Sequence, residues 1–222
     1  MENSYSNIYK NFDFECNECL KSFSHVDHEQ DIYTKEHSNR VASYALLIGK
    51  KLNLSENELN TLRLGSIYHD IGKVGVSAKI VFKDTKLDDD EYMEMKKHTF
   101  IGTDILSKSN TFKDIIPIVK YHHERYDGKG YPEGLKGEEI PLLTRIVSVA
   151  DTFDAMTSNR VYRNALDMDF VKSEIANAAG TQLDPNIANT FLDILNTEAD
   201  KIEEIKHKYD NNGSVANKFF EF

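Results

Sequence analysis

Apolar residues recur at helical spacing through most of this chain, and the alternating runs that suit a half-buried strand are scarce. That pattern makes an all-α fold the expectation. Val41, Ala42, Ala45, Leu46, Ile48 and Leu52 form one stripe, which closes near Asn53. Ser55 and Glu58 read as a capping box that opens a helix through Leu59, Leu62, Leu64 and Ile67 toward His69 and Asp70. Asp88, Asp89 and Asp90 suit the positive start of a helix running through Met93 and Met95 to His98. A further helix is expected from Ile115 to about Glu124, with Pro117 near its first turn. The glycine-rich run RYDGKGYPEGLKG, from Arg125 to Gly137, reads as a loop. Pro141 then starts a strongly apolar helix through Ile146, Val147, Val149, Ala150 and Phe153. Asp167 and Gly180 bracket another, and Asp184 with Pro185 opens one that ends near Leu195.

A chain of 222 residues suits one domain with a substantial core. The main unit is expected over residues 31–199, after an N-terminal helical extension at 1–30 and before a charged tail at 200–222. That tail ends in KFFEF and either docks on the body, meets a partner or stays disordered. No apolar run approaches the ~20 residues that a membrane helix needs. The opening MENSYSNIYK lacks the basic and apolar parts of a secretory signal, so the cytoplasm is expected and a membrane is not. Acidic residues number 37 against 27 basic ones, which argues against polymeric nucleic acid as a partner. An anionic substrate would have to be captured by a local basic or metallic site. Cys16 and Cys19 are too few for a disulfide framework; with His25 and His28 nearby they make a weak zinc pattern, and we read them as helix-face cysteines.

The histidines and aspartates carry the chemistry. In HDIGK, Asp70 directly follows His69, and such a carboxylate can place one oxygen on each of two metals while its neighbour supplies nitrogen to one. His122 and His123 are adjacent, so an undistorted helix would point them about 100° apart. Serving one metal together requires a helix end, and the glycine-rich run that follows provides it. Asp151 lies inside the apolar helix RIVSVADTFDAM, where an unpaired carboxylate would cost several kcal/mol. Asp154 sits one turn on, facing a similar direction. Both aspartates also suit a buried hydrogen-bonded pair with no metal. Arg160 and Arg163, spaced by three, could grip phosphate oxygens or simply face solvent. Lys73 could set its ammonium near the same cluster or stand at the surface.

HDIGK at 69–73, His98, HHERYDGKGYP at 122–132 and VADTFDAMTSNRVYR at 149–163 together resemble the HD-GYP phosphodiesterases. EHSNRV at 36–41 and GTQLDP at 180–185 extend the likeness, which spans roughly Asp31 to Leu195. The resemblance implies an all-α, HD-type helical bundle with a buried dinuclear metal site. It also implies cleavage of a cyclic dinucleotide, chiefly cyclic di-GMP, to linear pGpG or onward to GMP. We expect the cut to be made by a hydroxide bridging two divalent transition-metal ions, iron or manganese, for which the nitrogen-rich ligand set is suited and of which the resemblance points to iron. By position, His37, His69, Asp70 and Asp151 would hold one ion. Asp70 would bridge to a second held by His98, His122 and His123. Lys73, Arg160 and Arg163 match positions that contact substrate phosphate, with Asp70 and Lys73 central to catalysis. Asp154 would orient a ligand or a water. Some members recruit a third metal with a glutamate four residues before the first histidine; here Tyr33 stands there, and neither Glu29 nor Glu36 has the matching spacing. Two ions are therefore expected, and complete cutting to GMP is not.

Three other readings stay open on the sequence. The substrate could be another nucleotide such as cyclic GMP-AMP, the site could be a di-iron oxygenase, or the chain could bind a cyclic dinucleotide without turnover and meet a protein partner at the Gly128–Pro132 loop.

Overall fold

The structure is a computed structural model that describes residues 28–83, 85–158 and 165–210, with the backbone alone for 28–34 and Asp210. It is all-helical: no strand forms among the described residues, and Ala179 with Leu183 makes one isolated parallel bridge. The α-helices are α1 (His28–Lys51), α2 (Glu56–Tyr68), α3 (Ala78–Val81), α4 (Asp89–Lys96), α5 (His98–Ser107), α6 (Ile116–Tyr121), α7 (Leu142–Thr157), α8 (Met168–Ala178), α9 (Pro185–Thr197) and α10 (Ala199–Asp210). Among the described residues no helix is long and apolar enough to cross a membrane.

Several ends follow directly from local chemistry. Asn53, just past α1, takes a left-handed φ of 57°, a conformation that asparagine tolerates better than most residues. Ser55 and Glu58 close a reciprocal capping box at the start of α2, and Asp88 with Glu91 does the same for α4. Asp167 and Asp184 cap α8 and α9 by accepting from backbone N–H groups.

Two expected helices differ in extent. The run from Asp88 to His98 is two helices: α4 ends in a tightened turn in which Lys97 N–H bonds the Glu94 carbonyl, and His98 opens α5. The helix expected to reach Glu124 stops at Tyr121, because Ser148 Oγ donates to the His122 carbonyl at 2.8 Å and Tyr131 N–H to that of His123 at 3.3 Å.

Helix α1 packs against α2 and α7, with α9 and α10 also on it. The main core joins Tyr44 of α1, Phe153 of α7 and Phe191 of α9. Tyr44 and Phe191 each meet Phe153 edge to face with centroids 4.9 Å apart, which adds about 0.5–1.5 kcal/mol per pair beyond area burial. This cluster anchors the face of α7 beside Asp151 and Asp154. A smaller core of Tyr68, Leu106, Phe112, Ile115 and Val119 seats α5 and α6 against the end of α2. The boundary expected after residue 199 falls at the start of α10, whose Ile202 is buried in the main core, so residues 199–210 form a helix packed on the bundle.

One close approach sets the site's width. The 3₁₀ turn Ile71–Gly75 lies so near α5 that a Cβ on Gly72 would sit 1.8 Å from the His98 carbonyl oxygen. Only glycine lets Asp70 and His98 come together here.

Candidate metal centre

Five helix segments deliver the cluster. His37 lies on α1, His69 caps the C-terminus of α2, Asp70 follows in the turn, His98 opens α5, His122 and His123 follow α6, and Asp151 lies on α7. Where α2 ends, Asp70 takes φ −99° and ψ 7°, so two adjacent side chains can face one point. The end of α6 does the same for His122 and His123, whose ring centroids lie 4.1 Å apart.

Asp70 stands at the centre, 5% exposed, with an oxygen on each side. Its Oδ1 lies 3.5 Å from His98 Nε2 and 3.6 Å from His122 Nε2. Its Oδ2 lies 3.4 Å from His69 Nε2 and 3.9 Å from His37 Nε2. Asp151 Oδ1 is 3.4 Å from His37 Nε2 and 4.0 Å from His69 Nε2. Two groups suited to an ion result, Asp70–His98–His122–His123 and His37–His69–Asp70, and Asp70 belongs to both. Metal–ligand bonds of about 2.0–2.2 Å place neighbouring ligand atoms roughly 3–4 Å apart, the spacing found here.

The hydrogen bonds show that the array fits cations. His69 Nδ1 lies 2.7 Å from the Ser66 carbonyl, His98 Nδ1 2.7 Å from that of Met95 and His122 Nδ1 3.0 Å from that of Val119. A carbonyl oxygen only accepts, so each Nδ1 carries a proton and each ring turns its Nε2 inward. His98 Nε2 and His122 Nε2 face each other at 3.3 Å, an arrangement a shared cation relieves. His69 Nε2 and Asp70 Oδ1 are buried without a hydrogen-bond partner. The donor set therefore suits metal ions, with backbone carbonyls fixing the ligand tautomers.

Electrostatics point the same way. Burial holds the His69 and His98 rings down to about 4, which leaves them neutral and able to ligate at neutral pH. Burial, then the His122 and His98 rings, holds His123 well below the ordinary histidine range. Burial alone would raise the Asp70 carboxyl, yet Lys73 and then the rings of His69 and His122 outweigh it and hold it well below the usual carboxylate range. His37 moves the other way: burial opposes its charged form, and the Asp154 hydrogen bond with the Asp151, Asp154 and Asp70 charges prevails, raising it.

The remaining expected residues divide. Lys73 is brought to the cluster, its ammonium against Asp70 Oδ2. Asp154 is 1% exposed and accepts from His37 Nδ1 at 2.8 Å. Arg160 and Arg163 lie outside the described residues, as do Cys16, Cys19 and His25 and the side chains of His28, Glu29 and Tyr33. Within Gly128–Pro132 only Lys129 is exposed, and Tyr131 turns inward onto His123, so that loop is less open than expected.

Sequence reasoning missed the supports. Arg40, 4% exposed, donates from Nε to Asp154 Oδ1 at 2.7 Å and from Nη2 to Oδ2 at 3.1 Å, so Arg40, Asp154 and His37 form one chain. An arginine three residues after His37 beside buried Val41 was the available signal, the same one that marks Asp151. Glu124 is 3% exposed and pins the glycine-rich loop, its Oε1 accepting from Glu133 N at 2.7 Å and Gly134 N at 3.0 Å. Gly130 must be glycine, since a Cβ there would meet Arg125 N at 2.4 Å. A cavity of about 600 Å³ opens over the cluster, lined by His37, Asp70, Lys73, His123, Tyr131 and Gln182 among others. That volume falls in the roughly 300–1,000 Å³ range of small-molecule sites.

A helical bundle gathers a histidine–aspartate pair and further histidines around one shared carboxylate, a donor array suited to cations. Residues 27–187 match the HD domain family, and the chain belongs to it. It is 37% identical over 194 residues to 3'3'-cGAMP-specific phosphodiesterase 3 of Vibrio cholerae, a match covering 87% of this chain and 42% of that protein. It is 38% identical over 191 residues to a cyclic di-GMP phosphodiesterase of Thermotoga maritima, covering 83% of this chain and 50% of the relative. The chain thus spans about half the length of these curated relatives. Among solved structures, an HDG"Y"P protein from Bdellovibrio bacteriovorus superposes with a TM-score of 0.62 at 19% identity, covering 85% of this chain and 60% of that one, a likeness of fold.

Proposed function

We propose that this chain is a metal-dependent phosphodiesterase acting on a cyclic dinucleotide, with opening of cyclic di-GMP to linear pGpG as its reference reaction. The observation that carries the reading is the two-sided Asp70 carboxylate, each oxygen faced by inward-turned Nε2 atoms at the floor of an open cavity. The names of the two relatives support the substrate class, and because they differ in base composition, the 3'3'-cGAMP reaction is the alternative. In this reading His37, His69, Asp70 and Asp151 hold one ion, and Asp70, His98, His122 and His123 hold the other. The nitrogen-rich, carboxylate-bridged set suits iron or manganese. The ions supply Lewis acidity and a source of hydroxide at neutral pH.

The protein's own groups do the rest. Arg40 and Asp154 fix the tautomer and direction of His37. Lys73 lines the cavity beside Asp70 and neutralises charge on the phosphoryl group, with Arg160 and Arg163 as further phosphate contacts. No side-chain nucleophile is needed.

The test uses anaerobically purified, metal-analysed protein and a panel of cyclic dinucleotides, with products resolved by chromatography. Wild type should carry two ions per chain and release a linear dinucleotide, whereas Asp70→Ala should lose metal and turnover together. Normal turnover in Asp70→Ala refutes the shared-carboxylate reading, and oxygen consumption without phosphodiester cleavage supports an oxygenase instead.

A further inference from the structure

The cavity has a second kind of lining that the metal cluster does not use. Tyr92 of α4 and Tyr131 of the glycine-rich loop both border it. Tyr131 stacks on His123 with ring centroids 4.8 Å apart and 27° between planes, and Tyr92 meets Tyr131 edge-on at 6.3 Å and 85°. The Lys96 ammonium sits 4.5 Å from the Tyr92 centroid and 5.2 Å from that of Tyr131. At these distances the one cation lies against both rings and holds them together.

Helix α4 buries none of its residues, and Tyr92 is 45% exposed. An aromatic ring held by a cation and a neighbouring ring, yet half open to solvent beside a cavity, has apolar area available for a ligand. The charged floor suits phosphate, whereas a base needs a flat apolar face, which Tyr92 offers at the cavity's border. Those bases project away from the phosphodiester, and Tyr92 stands one ring beyond Tyr131, which itself covers His123.

Resting on the proposed function, we propose that Tyr92 is a nucleobase-stacking wall of this cavity, with Lys96 as the residue that positions it. The chain reads a purine base by its π-face at Tyr92 while the cluster at Asp70 takes the phosphate. Alanine substitution at a base-stacking aromatic typically weakens binding about 5- to 100-fold.

Calorimetric titration of the metal-loaded protein with GMP and with ribose 5-phosphate, which carries the phosphate without the base, isolates this effect. Wild type should bind GMP more tightly than ribose 5-phosphate. Tyr92→Ala should lose about 5- to 100-fold in GMP affinity, with ribose 5-phosphate little changed, and Tyr92→Phe should recover most of the loss. Lys96→Met should show a smaller loss, again confined to GMP. Equal losses for the two ligands, or no loss in Tyr92→Ala, overturn the inference. A wild type that cleaves cyclic dinucleotides but binds the two ligands equally overturns the inference alone. A wild type that cleaves no member of the panel yet prefers GMP through Tyr92 keeps the base wall and removes the proposed function.

Discussion

Replacing Arg40 by methionine probes the chain that runs from α1 through Asp154 to His37. Arg40 and Asp154 have side chains only 5% and 2% exposed, and their guanidinium and carboxylate are joined by two contacts, 2.7 and 3.1 Å. Removing one partner of such a pair strands the other and costs about 3–5 kcal/mol. Asp154 keeps two other donors, His37 Nδ1 at 2.8 Å and Ser158 Oγ at 3.1 Å, so the loss should fall at the lower end, about 3 kcal/mol. In a chain of this size each kcal/mol moves Tm by about 2–4 °C, giving a drop of roughly 6–12 °C for the metal-stripped protein by scanning calorimetry. The double variant Arg40→Met with Asp154→Leu replaces both charges by apolar side chains and should regain most of that stability. It should still bind metal about 10- to 100-fold more weakly, since nothing then fixes the His37 ring. A Tm change below 2 °C in Arg40→Met, or wild-type metal affinity in the double variant, would show that the chain does not support the site.

Gly72→Ala should destabilise the fold by about 3 kcal/mol and lower metal stoichiometry, because the new Cβ meets the backbone of His98 at 1.8 Å and of Gly102 at 2.5 Å, neither of which can yield; urea denaturation with metal analysis checks both. The metal-stripped protein should be most stable near pH 6.5. Burial lowers His69 and His98 to about 4, so between 4 and 6.5 the unfolded state binds more protons and stability is lost as pH falls through that window, by up to about 3 kcal/mol for each ring. His37 is raised, chiefly by Asp154 against the opposing effect of burial, so its contribution is complete below about 6.5 and is lost as pH rises through its folded value. Denaturant titrations of chelated protein from pH 4.5 to 8 measure both limbs, and a stability independent of pH across 4.5–6.5 would contradict the buried neutral rings.

What could be read in advance followed the range of the forces involved. Helix-making signals are local, so the Ser55–Glu58 capping box, the Asp167 and Asp184 caps and the stripe from Val41 to Ile48 were all legible, and the structure contains them. The break at Lys97 was not, because nothing in Met95–Lys96–Lys97 discourages a continuous helix; the bend places the His98 ring against Asp70, a contact 28 residues away in sequence. Helix α6 ends early for the same kind of reason, the carbonyls of His122 and His123 just past its end being taken by Ser148 and Tyr131 from other segments. Within the site, the ligand types were visible as histidines and aspartates in odd places, an aspartate inside an apolar helix or two histidines at a helix end. Arg40 and Glu124 were passed over because each looks like an ordinary surface charge until its burial is known, 4% and 3% exposed. A buried charge is recognisable in sequence only when its apolar neighbours are weighed with it. The Arg40–Asp154 contact spans 114 residues, so only the packing of α1 on α7 reveals that the two charges answer each other, and that His37 depends on both.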